Sequence, residues 1–196
     1  MIIRKATKQD SHIISEHLFL AMEDILYKFI GIKYTLKTKE FLRHFVEKEN
    51  NQYSFQNCFV AEGENEILGS INIYDGADLE LLRAPIAEYI KKHFNIDFNP
   101  EKETQQGEYY INSFGVNPDQ QGKGIGTKIL QHIIKIYTVE NQYTLGLLLD
   151  EGNPSAEKLY LKLGFEFAGR KELVGKKMKH LQKKPENKFK KPSVTN

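Results

Sequence analysis

The sequence predicts a single α/β domain built on a mixed, mostly antiparallel sheet flanked by helices. Three observations carry that prediction. Segments with strand-like and helix-like apolar spacing alternate along the chain. Residues 58–62 and 66–74 face each other across the polar turn Gly63-Glu64-Asn65, which reads as an antiparallel hairpin. A strand, a helix and a short continuous apolar run then follow one another over residues 109–149, as a crossover between parallel strands would. A chain of 196 residues, 40% hydrophobic and 28% charged, suffices for one core.

Residues 2–6 read as the first strand, and Thr7 or Asp10 supplies a side-chain oxygen to cap the helix that follows. Ile13, Ile14, Leu18, Ala21, Met22, Ile25 and Leu26 recur at helical spacing and predict its buried face; Gly31 ends the pattern. A second helix spans residues 39–49, with Phe41, Leu42, Phe45 and Val46 inward. After the hairpin comes an insert, residues 75–107. Leu79, Leu82, Ile86, Ile90 and His93 suggest a helix in it, provided Pro85 falls in the first turn. Residues 95–107 read as a polar loop.

Residues 109–116 form the next strand, and 125–139 a helix with Ile129, Ile133, Ile134 and Tyr137 inward. The run 145–149 fits a strand covered on both faces. Asn153-Pro154-Ser155 opens another helix, Pro154 standing where its missing N–H costs little. Ala156, Leu159, Tyr160 and Leu163 continue it, and Gly164 caps its end. Residues 165–168 and 173–180 read as the last two strands. Residues 183–196, with five lysines and two prolines, read as a disordered tail, which bounds the domain at 1–182.

A formal charge of +2 argues against nucleic acid as the partner. The single cysteine, Cys58, precludes an internal disulfide and a cysteine-rich metal site. His17, His44, His93, His132 and His180 lack metal-ligand spacing, so no metal is expected. No apolar stretch has the length of a signal peptide or a membrane span, so a cytoplasmic location is expected, with no membrane partner.

The most informative stretch runs from strand 109–116 through Gln121-Gly122-Lys123-Gly124-Ile125-Gly126 into a helix. Backbone N–H groups in such a turn have no intrahelical partner and converge on an anion. A plain tight turn fits the glycines too. A dinucleotide fold would put this turn after the first strand, and a Walker loop needs Lys then Ser or Thr after the last glycine, whereas Gly126-Thr127-Lys128 reverses them.

Val116-x-Pro118-x-x-Gln121-x-x-Gly124-x-Gly126 followed by Asn153-x-x-Ala156-x-x-x-Tyr160-x-x-x-Gly164-Phe165 resembles the GCN5-related N-acetyltransferase (GNAT) superfamily. Ile3-Arg4-x-Ala6-Thr7-x-x-Asp10 resembles its usual opening, so the likeness spans residues 2–168. The resemblance implies the acyl-CoA N-acyltransferase fold and acetyl-CoA as co-substrate. It implies that Gln121, Gly122, Lys123, Gly124, Ile125, Gly126 and Thr127 hold the pyrophosphate. Phe114, Gly115 and Val116 would pair with the pantetheine arm beside a strand bulge, where Gly115 fits a close backbone approach. Asn153 and Ala156 would bind the same cofactor from the next helix, and Tyr160 would protonate the leaving thiolate.

In histone-type members a strand Glu acts as base; here Tyr110 holds that position. The place of the Glu used by peptide N-terminal acetylating relatives is taken by Leu148. Strand alternation puts Glu108, Tyr110, Asn112 and Phe114 on one face, making Glu108 the nearest substitute base, with Tyr110 and Asn112 to hold water. The acceptor, a primary amine on a small molecule or peptide, is expected between the first two helices and the insert, where Glu23, Asp24, Asp75 and Asp78 would attract a cation. A homodimer is an expectation from the superfamily. An acyl-CoA sensor or protein-interaction module without catalysis is the alternative function.

Overall fold

The computed structural model describes residues 1–186. Its elements are β1 (Ile2–Lys5), α1 (Ser11–Ile30), α2 (Thr35–Val46), β2 (Cys58–Glu62), β3 (Ile67–Asp75), α3 (Leu79–Phe94) and β4 (Tyr109–Val116). There follow α4 (Ile125–Ile133) with a π-helical continuation (Ile134–Glu140), β5 (Leu145–Asp150), α5 (Pro154–Lys162), β6 (Glu166–Leu173) and β7 (Lys176–Lys183). The seven strands lie in the order β1-β2-β3-β4-β5-β7-β6. Only β4 and β5 run parallel, joined by α4 as the crossover. This is the mixed, mostly antiparallel sheet that the alternation of patterns predicted.

Each face of the sheet carries its own core. Ile14, Leu18, Leu26, Phe41, Leu42, Ile86 and Ile90 bring α1, α2 and α3 onto one face, against Val60 and Met178. On the other, Ile129, Leu130 and Ile133 of α4 and Tyr160 of α5 pack on Ile71, Ile73, Ile111 and Leu147. Alternation along the strands divides these two sets, since successive side chains point to opposite faces. In α1 the buried face follows the expected spacing at Ile14, Leu18 and Leu26, but Ala21 is exposed. The helix breaks at Met22 (φ −142°, ψ 26°), and the break rotates the residues beyond it.

Two expectations need correction. Pro85 is the seventh residue of α3, well past the first turn. It deprives the Leu81 carbonyl of a helical partner, and the neighbouring Leu82 carbonyl accepts from the backbone N–H of Gln52 (3.0 Å). The final strands also extend further than their apolar residues suggested: Lys183, read as tail, ends β7 opposite Leu145. The rest of the proposed tail, from residue 187 onward, lies outside the described residues.

The ends of α5 follow from local chemistry. Asn153 Oδ1 accepts from the Ala156 N–H (3.1 Å), and Pro154 takes the first helical position. At the other end Phe165 N–H donates to the Tyr160 carbonyl and Gly164 N–H to the Leu161 carbonyl, with Gly164 at φ +82°. That is the Schellman pattern, and it needs the left-handed conformation glycine adopts at little cost.

Candidate active site

The site originates where two parallel strands part. β4 pairs with β5 only over Tyr109–Ile111 against Leu145–Leu147. Beyond Ile111 they separate and a cleft of about 460 Å³ opens, with Phe114 and Asn112 on one wall and Leu149 and Asp150 on the other. Asn153 at the start of α5, Tyr160 on it, and Glu23 and Asp24 of α1 also line it.

A β-bulge decides what β4 shows to this cleft. Across the β3–β4 ladder Asn72 pairs with Ser113 and Ile73 with Ile111, so Asn112 is the extra residue. The bulge is therefore at Asn112 and not beside Gly115. One extra residue resets alternation. Phe114 consequently turns to the α4 face with Ile111, and does not share a face with Tyr110 as strict alternation predicted. Gly115 has a packing reason: a Cβ there would lie 2.7 Å from the His17 carbonyl oxygen of α1.

The glycine-rich turn leads from β4 to α4. Gly122 (φ +76°) and Gly124 (φ +78°) are left-handed, and space lies open where their Cβ atoms would be. The backbone N–H groups of residues 122–127 have no partner among the described residues; the next, of Lys128, returns to the Gly124 carbonyl (3.1 Å). Consecutive unpaired amides at a helix N-terminus, facing open space, fit a diphosphate. Gln121 donates from Nε2 to the Val116 carbonyl (3.2 Å), which ties the turn to β4. Lys123 is exposed and its Nζ donates to Gln120 Oε1 (2.9 Å). Gly126 packs on Phe114, whose ring a Cβ would approach to 3.0 Å. Ile125 is buried, and Thr127 lies in the first turn of α4.

Tyr160 is 8% exposed and lines the cleft, with its ring edge-on to Phe165 (5.5 Å between centroids). Burial raises its pKa well above the usual phenol value, so the hydroxyl stays protonated and can donate. Ala156, one turn earlier on α5, also lines the cleft.

Glu108 and Tyr160 are not brought together. Glu108 is buried against β5 and β7, where it accepts from His180 Nε2 (2.9 Å), Gln182 Nε2 (2.7 Å) and Thr104 Oγ1 (2.9 Å). Burial pushes its pKa up, but these hydrogen bonds outweigh burial and hold it below the ordinary value. Its carboxylate also fills the space beside Gly146, where any Cβ would collide with it. Glu103, from the insert, does line the cleft, as do Glu23, Asp24 and Asp150. Its Oε2 pairs with Arg83 (3.0 Å), and its Oε1 accepts from Tyr74 OH (2.9 Å) and from Gln52 Nε2. Burial raises the Glu103 pKa despite Arg83 and these donors.

Glu103 lies in an irregular polar segment, where periodicity carries no signal, and its partners are far apart in sequence. Of the four acids expected to attract a cation, Glu23 and Asp24 line the cleft, whereas Asp75 caps a short turn by accepting from the Ala77 N–H (3.0 Å). Among the described residues no three His, Cys, Asp or Glu side chains gather as a metal site.

The fold and the parted strands define an acyl-transferase architecture, and comparison with known proteins agrees. The acetyltransferase (GNAT) family model matches residues 21–165, so the chain belongs to that family. The spermine/spermidine N(1)-acetyltransferase of Bacillus subtilis (strain 168) is 30% identical over 82 residues, 40% of this chain and 52% of that protein. The match thus spans about half the length of that curated relative. A crystal structure of an N-acetyltransferase from Staphylococcus aureus Mu50 superposes with a TM-score of 0.81 at 25% identity, covering 93% of this chain and all of that one (100%). The PaiA N-acetyltransferase from Thermoplasma acidophilum, in complex with coenzyme A, shares the fold: TM-score 0.57, 14% identity, 93% of this chain and 98% of that one.

Proposed function

We propose that residues 1–183 form an acetyl-CoA-dependent N-acetyltransferase that acetylates a primary amine of a small molecule or peptide by direct attack. The observation that carries this is Phe114, which lines the cleft with Tyr160 and packs on Gly126 of the turn whose amides are unpaired. Those amides, from Gly122 to Thr127, would hold the pyrophosphate, and the separated edges of β4 and β5 would take the extended arm. Asn153, its Oδ1 engaged in capping, has its amide nitrogen to offer the same arm.

When acetyl-CoA is bound it supplies the activated acyl group. The acceptor nitrogen bonds to the acetyl carbon, the carbon–sulfur bond breaks, and Tyr160 gives its proton to the departing sulfur. Glu103 receives the proton lost by the nitrogen: it lines the cleft where Glu108 does not, and burial raises its pKa. Glu23 and Asp24, which also line the cleft, favour a cationic acceptor, which accords with the spermine named for the relative.

The test is isotope-labelled acetyl transfer to a panel of polyamines, amino acids and peptides. Transfer to at least one, lost in Tyr160→Phe, is expected; coenzyme A binding with no transfer to any would sink the enzymatic reading. No helix of the described residues is long and apolar enough to cross a membrane, and we read the protein as cytoplasmic.

A further inference from the structure

Two buried polar atoms lack partners at the point where β4 leaves β5: Asn112 Nδ2 and Ser113 Oγ. Such groups are rare because an unmet donor shielded from water costs stability. Here they belong to consecutive residues, and both residues line the cleft. The bulge at Asn112 is the reason, since it turns neighbouring side chains toward one face.

Asn112 is also aimed. Glu103 is held by Arg83 and Tyr74, and as a carboxylate it only accepts, so Gln52 presents its Nε2 there. The same Nε2 donates to Asn112 Oδ1 (3.2 Å). With Oδ1 committed, the amide of Asn112 has one orientation, and Nδ2 is the atom left over. A carboxylate from the insert thus sets a donor on β4 through an intervening amide.

We propose that Asn112 is a catalytic residue whose Nδ2 hydrogen-bonds the acetyl carbonyl oxygen as negative charge develops on it, with Ser113 Oγ beside it and Gln52 as a positioning residue. This rests on the acetyl-transfer reading above. An unpaired, pre-oriented donor is what such charge requires, because nothing need reorganise during reaction. Nδ2 cannot serve as base or as acid to the sulfur, so its effect is separable from those of Glu103 and Tyr160.

The test uses the full chain with Asn112→Leu and Gln52→Leu, and needs no acceptor. Acetyl-CoA labelled with ¹³C at the carbonyl is bound to each protein and its resonance compared with that of the free thioester, while coenzyme A affinity is measured by calorimetry. In the wild type the bound carbonyl should move downfield. Asn112→Leu should remove most of that shift with coenzyme A affinity unchanged, and Gln52→Leu part of it. With an acceptor in hand, Asn112→Leu should lower kcat roughly 10²–10³-fold, the usual loss of one such donor. Should Asn112→Leu fail to fold, Gln52→Leu decides alone. An identical carbonyl shift in wild type and variant overturns the proposal and leaves acetyl transfer standing. If neither acetyl-CoA nor coenzyme A binds the wild type, the transfer reading falls and the proposal with it.

Discussion

The two parts of the candidate site are built by opposite means. The glycine turn is local: one stretch, from β4 through Gly122 and Gly124 into α4, presents backbone N–H groups to open space. The other part is assembled: Gln52, Tyr74, Arg83 and Glu103 come from separate elements and meet through side chains under Asn112. A site made of backbone needs the right conformation, which glycines and a helix start specify. A site made of side chains needs distant segments to converge, and here the backbone takes part too, the Gln52 N–H donating to the Leu82 carbonyl of α3. The lesson is that a backbone cradle can be local while a side-chain cluster is not.

Substitutions in each part should separate these contributions. Tyr160→Phe, which keeps the ring packed on Phe165, should lower kcat by about 10²–10⁴, the usual range for a general acid. Coenzyme A affinity should not change; equal turnover would remove Tyr160 from the mechanism. Glu103→Gln should produce a loss of similar kind, roughly 10²-fold or more, and abolish the acidic limb of the kcat/KM profile. A profile that keeps its acidic limb would show that another group accepts the proton.

In the local part, Gly124→Asp forces a side chain into a left-handed position (φ +78°) and sets a carboxylate against the anion site. Repulsion between that carboxylate and the diphosphate should weaken coenzyme A binding at least tenfold, about 1.4 kcal/mol, by calorimetry. Affinity within error of the wild type would defeat the assignment.

The smallest effects belong to residues that support the sheet. Glu108 has a folded-state pKa held below its unfolded value, so it stabilises the protein above that unfolded value. The contribution should fade as pH falls through the lower folded-state pKa. Glu108→Gln should cost about 1–3 kcal/mol near neutrality by urea titration, and the difference from wild type should shrink in acid. A pH-independent difference would mean that packing beside Gly146, and not charge, is what Glu108 supplies.

Much of the fold was readable because each element declares itself. Ile14, Leu18 and Leu26 mark the buried face of α1, and Asn153-Pro154 with Gly164-Phe165 bracket α5 at both ends. The face assignment on β4 failed at one residue. No pattern in Tyr109–Val116 reveals that Asn112 is extra, because the bulge exists only relative to the register of β3. That single residue moved Phe114 to the α4 face and left Asn112 and Ser113 on the cleft.

Glu108 and Glu103 mark the same boundary. Both are acids in a polar stretch, and strand alternation favoured Glu108. In the fold His180 and Gln182, contributed by the last strand, enclose Glu108, while Glu103 lines the cleft. The amino-acid sequence by itself determined the sheet's elements, the glycine-rich turn with its unpaired amides and the tyrosine on α5, because these depend on backbone conformation and spacing within one stretch. Tertiary structure alone decided which of these two carboxylates reaches the cleft and which amide is left unpaired in it, because burial and hydrogen bonding are properties of what the rest of the chain brings alongside.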